Sequence, residues 1–398
     1  MNKMFIVLGL LLAVASAEKW ALFLSANTAW GNYCITSTIC PVRNGIPRDH
    51  IVYFSFDGNF DNDRNPYPGQ MFSESSESGL PEDYAPECRA YIDYTGDNIT
   101  PETFMAALSG DADTMKKLTE DTIFVYYMDH GGPGSCEVGH AQLKATVLMD
   151  TIQKMYNAKK YKKLVFYFEA CYSGSMFTDL PQGLNVYAFT GADDKHSAWM
   201  SFCPPNDVIN GKNLHTCISA YYDDEWENIV EKNGTAITHN DVFKIAHDNV
   251  ALKTDQNISQ YGDIDTIGNE LLSEVFGSTM TLAVPDVPLH LAKWKAIRSN
   301  KNSNDDAMKE LEQVILQDLK KEISVSRLVS RSVGEKKVES AMKYSGRGDH
   351  YCVNELASQL TSKCGYSLPF REEHVNALHY ICTYSNLRTS LKLFSEVC

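Results

Sequence analysis

Five short segments of this chain are apolar at nearly every position: Trp20–Ala26, Ile51–Phe56, Thr122–Met128, Lys163–Ala170 and Leu184–Thr190, rich in Val, Ile, Phe and Tyr. Strands that are apolar on both faces belong in a sheet buried on both sides, which in practice is a mainly parallel one. Between the third and fourth lies Thr146–Tyr161, where Val147, Leu148, Ile152 and Met155 recur at helical spacing. Strand, helix, strand in that order predicts βαβ units, with helices covering a parallel sheet.

The pattern changes after about Gly277. Pro285 and Pro288 are followed by the polar run Arg298–Asp306, which has little to bury and reads as a linker. From Ala307 onward helical spacing returns, and Cys352, Cys364, Cys382 and Cys398 crowd the last 47 residues. A small helical module held by two disulfides is expected, with three pairings open from spacing alone.

At the other end, Lys3, the apolar run Met4–Val14 and the small residues Ala15 and Ala17 have the layout of a secretory signal peptide, too short to span a membrane. The expected organisation is therefore a signal at 1–17, an α/β domain at 18–280, a linker at 281–306 and a helical module at 307–398. No later run is long enough for a membrane span. Entry into the secretory route makes Asn98, Asn233 and Asn257 glycosylation candidates and permits disulfides. Eleven cysteines then leave at least one thiol over. A formal charge of −15 argues against nucleic acid or anionic lipid as the main partner.

Two apolar strands run straight into polar residues: one into Asp129-His130-Gly131-Gly132, the other into Glu169, Cys171, Ser173 and Gly174. In open α/β sheets ligands bind beyond the carboxyl ends of strands, so both tips should share one crevice. A thiol beside an imidazole suits nucleophilic catalysis, and the amides of Gly131 and Cys171 are placed to serve as oxyanion donors. On these residues alone, a buried core cysteine and a turn histidine remain the alternative. Cys136 and His140 lack a second ligand pair, so an ordinary surface loop rather than a metal site is expected there. Nothing in the pattern calls for a cofactor.

Several ordered blocks resemble the legumain family of asparaginyl endopeptidases: RNGIP from Arg43, NPYPG from Asn65, DYTGDNITPETFMAALSGDA from Asp93, DHG at Asp129, FEACYSGSM from Phe168 and LPQGLNVYAFT from Leu180. The resemblance implies a caspase-like α/β/α sandwich with a C-terminal all-α prodomain, and a thiol protease made as a secreted zymogen. Its compartment would be lysosome-like vesicles, the cell surface or the medium. Cys171 would be the nucleophile, His130 the base, Asn32 a residue orienting the histidine, and Asp129 a position able to form a succinimide. The prodomain would block the site as an intramolecular inhibitor, with Cys352 paired to Cys382 and Cys364 to Cys398. Asn300, Asn302 and Asn304 would be self-cleavage sites. Cys203 and Cys217 would close a proline-containing loop.

Family members read the substrate asparagine with an Arg, a Glu and an Asp. Glu169 is present here, but Cys34 stands at the Arg position and Ala220 at the Asp position, with Asp223 or Asp224 reachable only by sliding the alignment. Next to an intact dyad, asparagine before the cut is still the residue the resemblance implies, with loss of both pocket charges making an altered preference the alternative. Rival readings on the same resemblance are a peptide ligase, a transamidase subunit, and a silent surface-binding protein of the same fold.

Overall fold

A computed structural model describes residues 18–27, 29–41, 45–75, 85–110, 122–276, 285–288, 321, 323–366 and 370–394. Its centre is a six-stranded sheet built from β1 (Lys19–Ser25), β2 (Ile51–Ser55), β3 (Thr122–Met128), β7 (Lys163–Glu169), β8 (Val186–Thr190) and β13 (Ser259–Gly262). The spatial order is β13-β8-β7-β3-β1-β2, and every pairing is parallel except β13 with β8. The five apolar segments are the five parallel strands.

Period-two alternation divides these strands between two cores. Phe23, Tyr53, Phe124, Tyr126, Val165 and Tyr167 face one side, where α5 (Tyr221–Asn233) and α6 (His239–Ala251) supply Trp226, Ile229 and Val242. Leu22, Phe54, Val125, Phe166 and Phe168 face the other, where α3 (Pro101–Ser109) and α4 (Ala145–Asn157) supply Phe104, Leu108, Leu148 and Ile152. This is the expected α/β/α sandwich. Val147 departs from expectation and is 46% exposed. It lies about 100° around the helix from Leu148, whose face continues through Ile152 and Met155.

Shorter elements shape the carboxyl end of the sheet. α1 (Tyr33–Thr38) follows β1, and α2 (Ala85–Arg89) precedes α3. A three-stranded ribbon of β4 (Gly131–Gly132), β5 (Ser135–Val138) and β6 (Ala141–Lys144) follows β3. β9 (Trp199–Ser201) pairs with both β12 (Ser219–Ala220) and β14 (Pro285–Pro288), while β10 (Val208–Ile209) and β11 (Lys212–Asn213) form a hairpin. The start of the segment expected as linker is thus a strand: the β14 backbone completes the ribbon on β9.

The C-terminal module is helical over 323–333, Val338–Met342, His350–Cys364, Glu372–Tyr384 and Leu387–Lys392. Its apolar residues Val325, Leu328, Leu356, Leu360, Val375 and Leu378 join the core that includes α5 and α6. Disulfides link Cys352 to Cys382 and Cys203 to Cys217, and a third, Cys40 to Cys88, had no counterpart in the sequence reading. Cys364 is also disulfide-bonded. Cys398, the signal segment 1–17 and Asn300, Asn302 and Asn304 lie outside the described residues.

Candidate active site

The parallel register does most of the positioning. Met128 at the end of β3 lies opposite Glu169 at the end of β7, so Asp129 and His130 continue beside Ala170 and Cys171. The next residue makes the approach closest. A Cβ on Gly131 would fall well inside contact distance of the Cys171 carbonyl oxygen and 2.9 Å from the Ala170 Cβ, so only glycine fits. Strand order reverses at the β1–β3 boundary, so His130 at the tip of β3 borders the crevice where such sheets bind ligands, with Cys171 one strand further on.

After Cys171 the chain turns sharply. Tyr172 adopts a left-handed conformation at φ 57°, and its amide donates to the His196 carbonyl at 2.9 Å. A non-glycine residue in that region costs roughly 1–2 kcal/mol, a strain tolerated where the turn aims a side chain. Ser173 Oγ donates to the Ala192 carbonyl at 3.1 Å, which fixes the far side of the turn. The Cys171 sulfur is fully buried; burial pushes its thiol up to about 12, opposed by hydrogen bonds from the Ala198 backbone and the Ser197 side chain. In this covered state it is a thiol.

Asn32 connects to the histidine by a relay. Its Nδ2 donates to Asn27 Oδ1 at 2.8 Å, and Asn27 Nδ2 donates to Asp129 Oδ1 at 3.4 Å. Asp129 Oδ1 also accepts the His130 amide at 2.8 Å. Asn32 therefore reaches the histidine through Asn27 and the Asp129 carboxylate, which holds the His130 backbone amide, a relay that spacing along the chain does not show. Burial, reinforced by the nearby Glu137 charge, pushes the Asp129 carboxyl well above its ordinary value.

Glu169 shares the face of β7 that carries Cys171, and its carboxyl packs on Gly191, where any Cβ would overlap it. Among the described residues neither carboxylate oxygen has a hydrogen-bond partner. Burial raises its pKa well above the usual range, and Asp223 and Asp224 raise it further. Asp223, raised to about 7 by burial, accepts the Tyr126 hydroxyl at 2.5 Å, while Asp224 accepts Ser219 Oγ at 2.6 Å. Both occupy the first turn of α5, where the helix dipole favours negative charge. Cys34 is buried beside this group, its thiol raised by burial and by the charges of Asp223 and Glu169. Ala220 sits one residue before α5, buried and paired with Met200. The carboxyls that act on Glu169 are thus Asp223 and Asp224, and none of the three is in an ion pair among the described residues.

The C-terminal module closes over this end of the sheet. Phe370 accepts the Tyr172 hydroxyl at 2.9 Å, Ser345 accepts Lys195 Nζ at 2.7 Å, and Arg347 bonds Asp193 at 2.8 Å and also Asp194. His350 meets Asp179 at 2.6 Å, and Lys144 reaches Ser358 at 2.9 Å. Burial works against the charge of Asp193, but hydrogen bonds from His196, the Lys195 amide and Asn257 hold its carboxyl well below the ordinary value.

A family model for the peptidase C13 family matches residues 19–278, which spans the whole sheet and both strand tips. The chain belongs to the peptidase C13 family. It is 27% identical to a legumain of Mus musculus over 93% of this chain and 88% of the relative. It is 28% identical to a hemoglobinase of Schistosoma japonicum over 74% and 72%, and 25% identical to a vacuolar-processing enzyme of Glycine max over 96% and 84%. A solved caspase-1 of Spodoptera frugiperda aligns with a TM-score of 0.35 at 12% identity, covering 67% of this chain and 93% of its own. Membership in this peptidase family, with legumain relatives spanning nearly the whole chain, makes the protein a cysteine endopeptidase acting on protein substrates. No helix among the described residues is long and apolar enough to cross a membrane.

Of the glycosylation candidates, Asn98 and Asn233 are exposed. Asn257 is half-buried and spends its side-chain amide on Asp193 at 2.9 Å.

Proposed function

We propose that this member of the peptidase C13 family is a legumain-like endopeptidase made as a secreted zymogen, with Cys171 as nucleophile and His130 as base. The observation that carries the reading is the register of β3 on β7, which sets the His130 backbone beside Cys171 with Gly131 against the Cys171 carbonyl. In the reaction His130 takes the thiol proton and the sulfur attacks the scissile carbonyl carbon. The amides of Gly131 and Cys171 stabilise the oxyanion. The protonated imidazole then returns its proton to the leaving amine, leaving an acyl-enzyme. Water, activated by the same histidine, releases the acid product and restores the thiol.

The covered sulfur supports a zymogen. Cys171 is fully buried, and Phe370, Ser345, Arg347 and His350 bridge module and core close to it, which supports a site closed to substrate until the module leaves. Removing it would return water to the site and lower the desolvation that holds the thiol protonated. The reading places the activating cut in the polar stretch at Asn300, Asn302 or Asn304, made by the enzyme itself at acid pH in a lysosome-like compartment.

Asparagine before the cut remains the selected residue in this reading. A buried, protonated Glu169 carries one donor and one acceptor side by side, the complement of a primary carboxamide, so the pocket can read an amide without an arginine. The test is a peptide library profiled at pH 5 with wild type and Glu169→Gln. Enrichment of asparagine that the variant weakens supports the reading; selection of lysine or arginine instead would replace it with a carboxylate pocket for cations.

A further inference from the structure

β8 ends at Thr190, in register with Phe168 of β7, so Asp193 and Cys171 each lie three residues past a paired position on neighbouring strands. From there residues 191–198 fold around the Cys171 turn. Ser173 Oγ bonds the Ala192 carbonyl, the Tyr172 amide donates to the His196 carbonyl, and Ser197 and Ala198 hydrogen-bond the sulfur. The same loop carries Asp193, Asp194 and Lys195 on the flank of the nucleophile away from His130.

Asp193 divides its carboxyl between two tasks. Oδ1 accepts the amides of Lys195 and His196 at 2.8 and 2.9 Å and meets the His196 imidazole at 2.8 Å, which fixes the loop. Oδ2 accepts Asn257 at 2.9 Å and the Arg347 guanidinium at 2.8 Å, while Asp194 takes the other guanidinium arm. Two carboxylates on two nitrogens of one planar fork suit arginine better than lysine, which is a point charge. Arg347 is delivered by residues 344–349 of the module, which are neither helix nor strand, and the Ser345 and Gly346 carbonyls accept Lys195 Nζ at 2.7 and 3.2 Å. The loop therefore grips a short peptide by its backbone carbonyls and by one arginine side chain. Burial opposes the Asp193 charge, but His196, the Lys195 amide and Asn257 hold it, so the carboxylate persists when the module leaves and Oδ2 is open to another guanidinium.

Neighbouring strands stand about 4.8 Å apart and an extended peptide advances about 3.3 Å per residue, so a peptide held at Cys171 reaches this flank within about two to four residues. We propose that Asp193, Asp194 and Lys195 form a subsite for a substrate arginine about that far from the bond that is cut, occupied by Arg347 until activation. The subsite rests on Cys171 being the nucleophile.

The test is a peptide library randomised on both sides of the cut, given at pH 5 to acid-activated wild type, Asp194→Asn and Asp194→Ser, with cleavage sites read by mass spectrometry. Asp194 is the position to change because Asp193 also holds the loop. Wild type is expected to enrich arginine over lysine at one position two to four residues from the cut. A peptide with arginine there should exceed its alanine counterpart in kcat/KM by about fivefold to tenfold, mostly through KM, and the ratio should fall towards one in both variants. That ratio does not depend on how much of a variant folds. Basic residues enriched evenly at all positions and insensitive to Asp194 would overturn the subsite in favour of the overall field of an acidic chain. Cleavage that needs Cys171 but shows no basic preference overturns the subsite alone, whereas cleavage that persists in Cys171→Ala overturns the catalytic reading and the subsite with it.

Discussion

Substituting Gly131 by alanine perturbs the site at the single atom where its two halves touch. The new Cβ would overlap the Cys171 carbonyl oxygen and stand 2.9 Å from the Ala170 Cβ, neither of which is the free end of a flexible side chain. The tips of β3 and β7 must therefore separate by roughly 1 Å, an overpacking that costs about 1–3 kcal/mol of stability. A displacement of that size between a base and its nucleophile, with one oxyanion donor moved as well, lowers turnover by about a hundredfold, or some 2.7 kcal/mol in the barrier. The assay compares kcat and KM of acid-activated Gly131→Ala with wild type on one fluorogenic peptide, with thermal unfolding run in parallel. Gly58→Ala is the control, since a Cβ there meets nothing within 4 Å. The loss should fall on kcat, with the unfolding midpoint lowered by only a few degrees. Turnover within twofold of wild type would refute the proposed contact between the strand tips.

Replacing Arg347 by alanine removes its bonds to the buried Asp193 and to Asp194; with the guanidinium about half exposed, the loss is worth about 1–2 kcal/mol. Acid activation should speed up several-fold, followed as appearance of the processed band on gels, and an unchanged rate would remove this pair from the latch. The buried carboxyls also set a direction for stability against pH. Asp223 is raised to about 7 by burial, from an ordinary value near 4, so between those limits the folded chain holds a proton that the unfolded chain releases. Its contribution is whole below pH 4 and lost as pH rises through 7; Glu169, Asp224 and Asp129 shift the same way. The thermal midpoint is expected to fall between pH 5 and pH 7.5, less so in Asp223→Asn, and a midpoint that rises over that range would contradict the assignment.

The sheet was legible because its strands are buried on both faces and so read as unbroken apolar runs, from Leu22–Leu24 to Val186–Phe189. The tips of β3 and β7 were legible for a related reason: Asp129 and Glu169 interrupt those runs where the sheet ends. Contacts that depend on how loops return to the sheet were not. Asn27 stands between Asn32 and Asp129, and nothing in the chain's spacing marks it. Glu137 reaches His130 only through the β4–β5 ribbon, whose Gly-Gly-Pro-Gly segment signals a turn without saying what it brings back. Alignment alone leaves Ala220 against Asp223 and Asp224 open, and only the placement of the α5 first turn beside β7 shows which carboxyls act on Glu169. The Cys40–Cys88 bridge joins segments 48 residues apart, beyond any local signal.

The most direct test of the account is mass spectrometry of the acid-activated protein after reaction with a thiol-directed peptidyl ketone that ends in asparagine. Three thiols are free among the described residues, Cys34, Cys136 and Cys171, and all are buried when the module is in place. The account predicts one adduct per chain, on the sulfur of Cys171, lost in His130→Ala and absent before activation. An adduct on Cys34 or Cys136, or peptide cleavage that persists in Cys171→Ala, would contradict it.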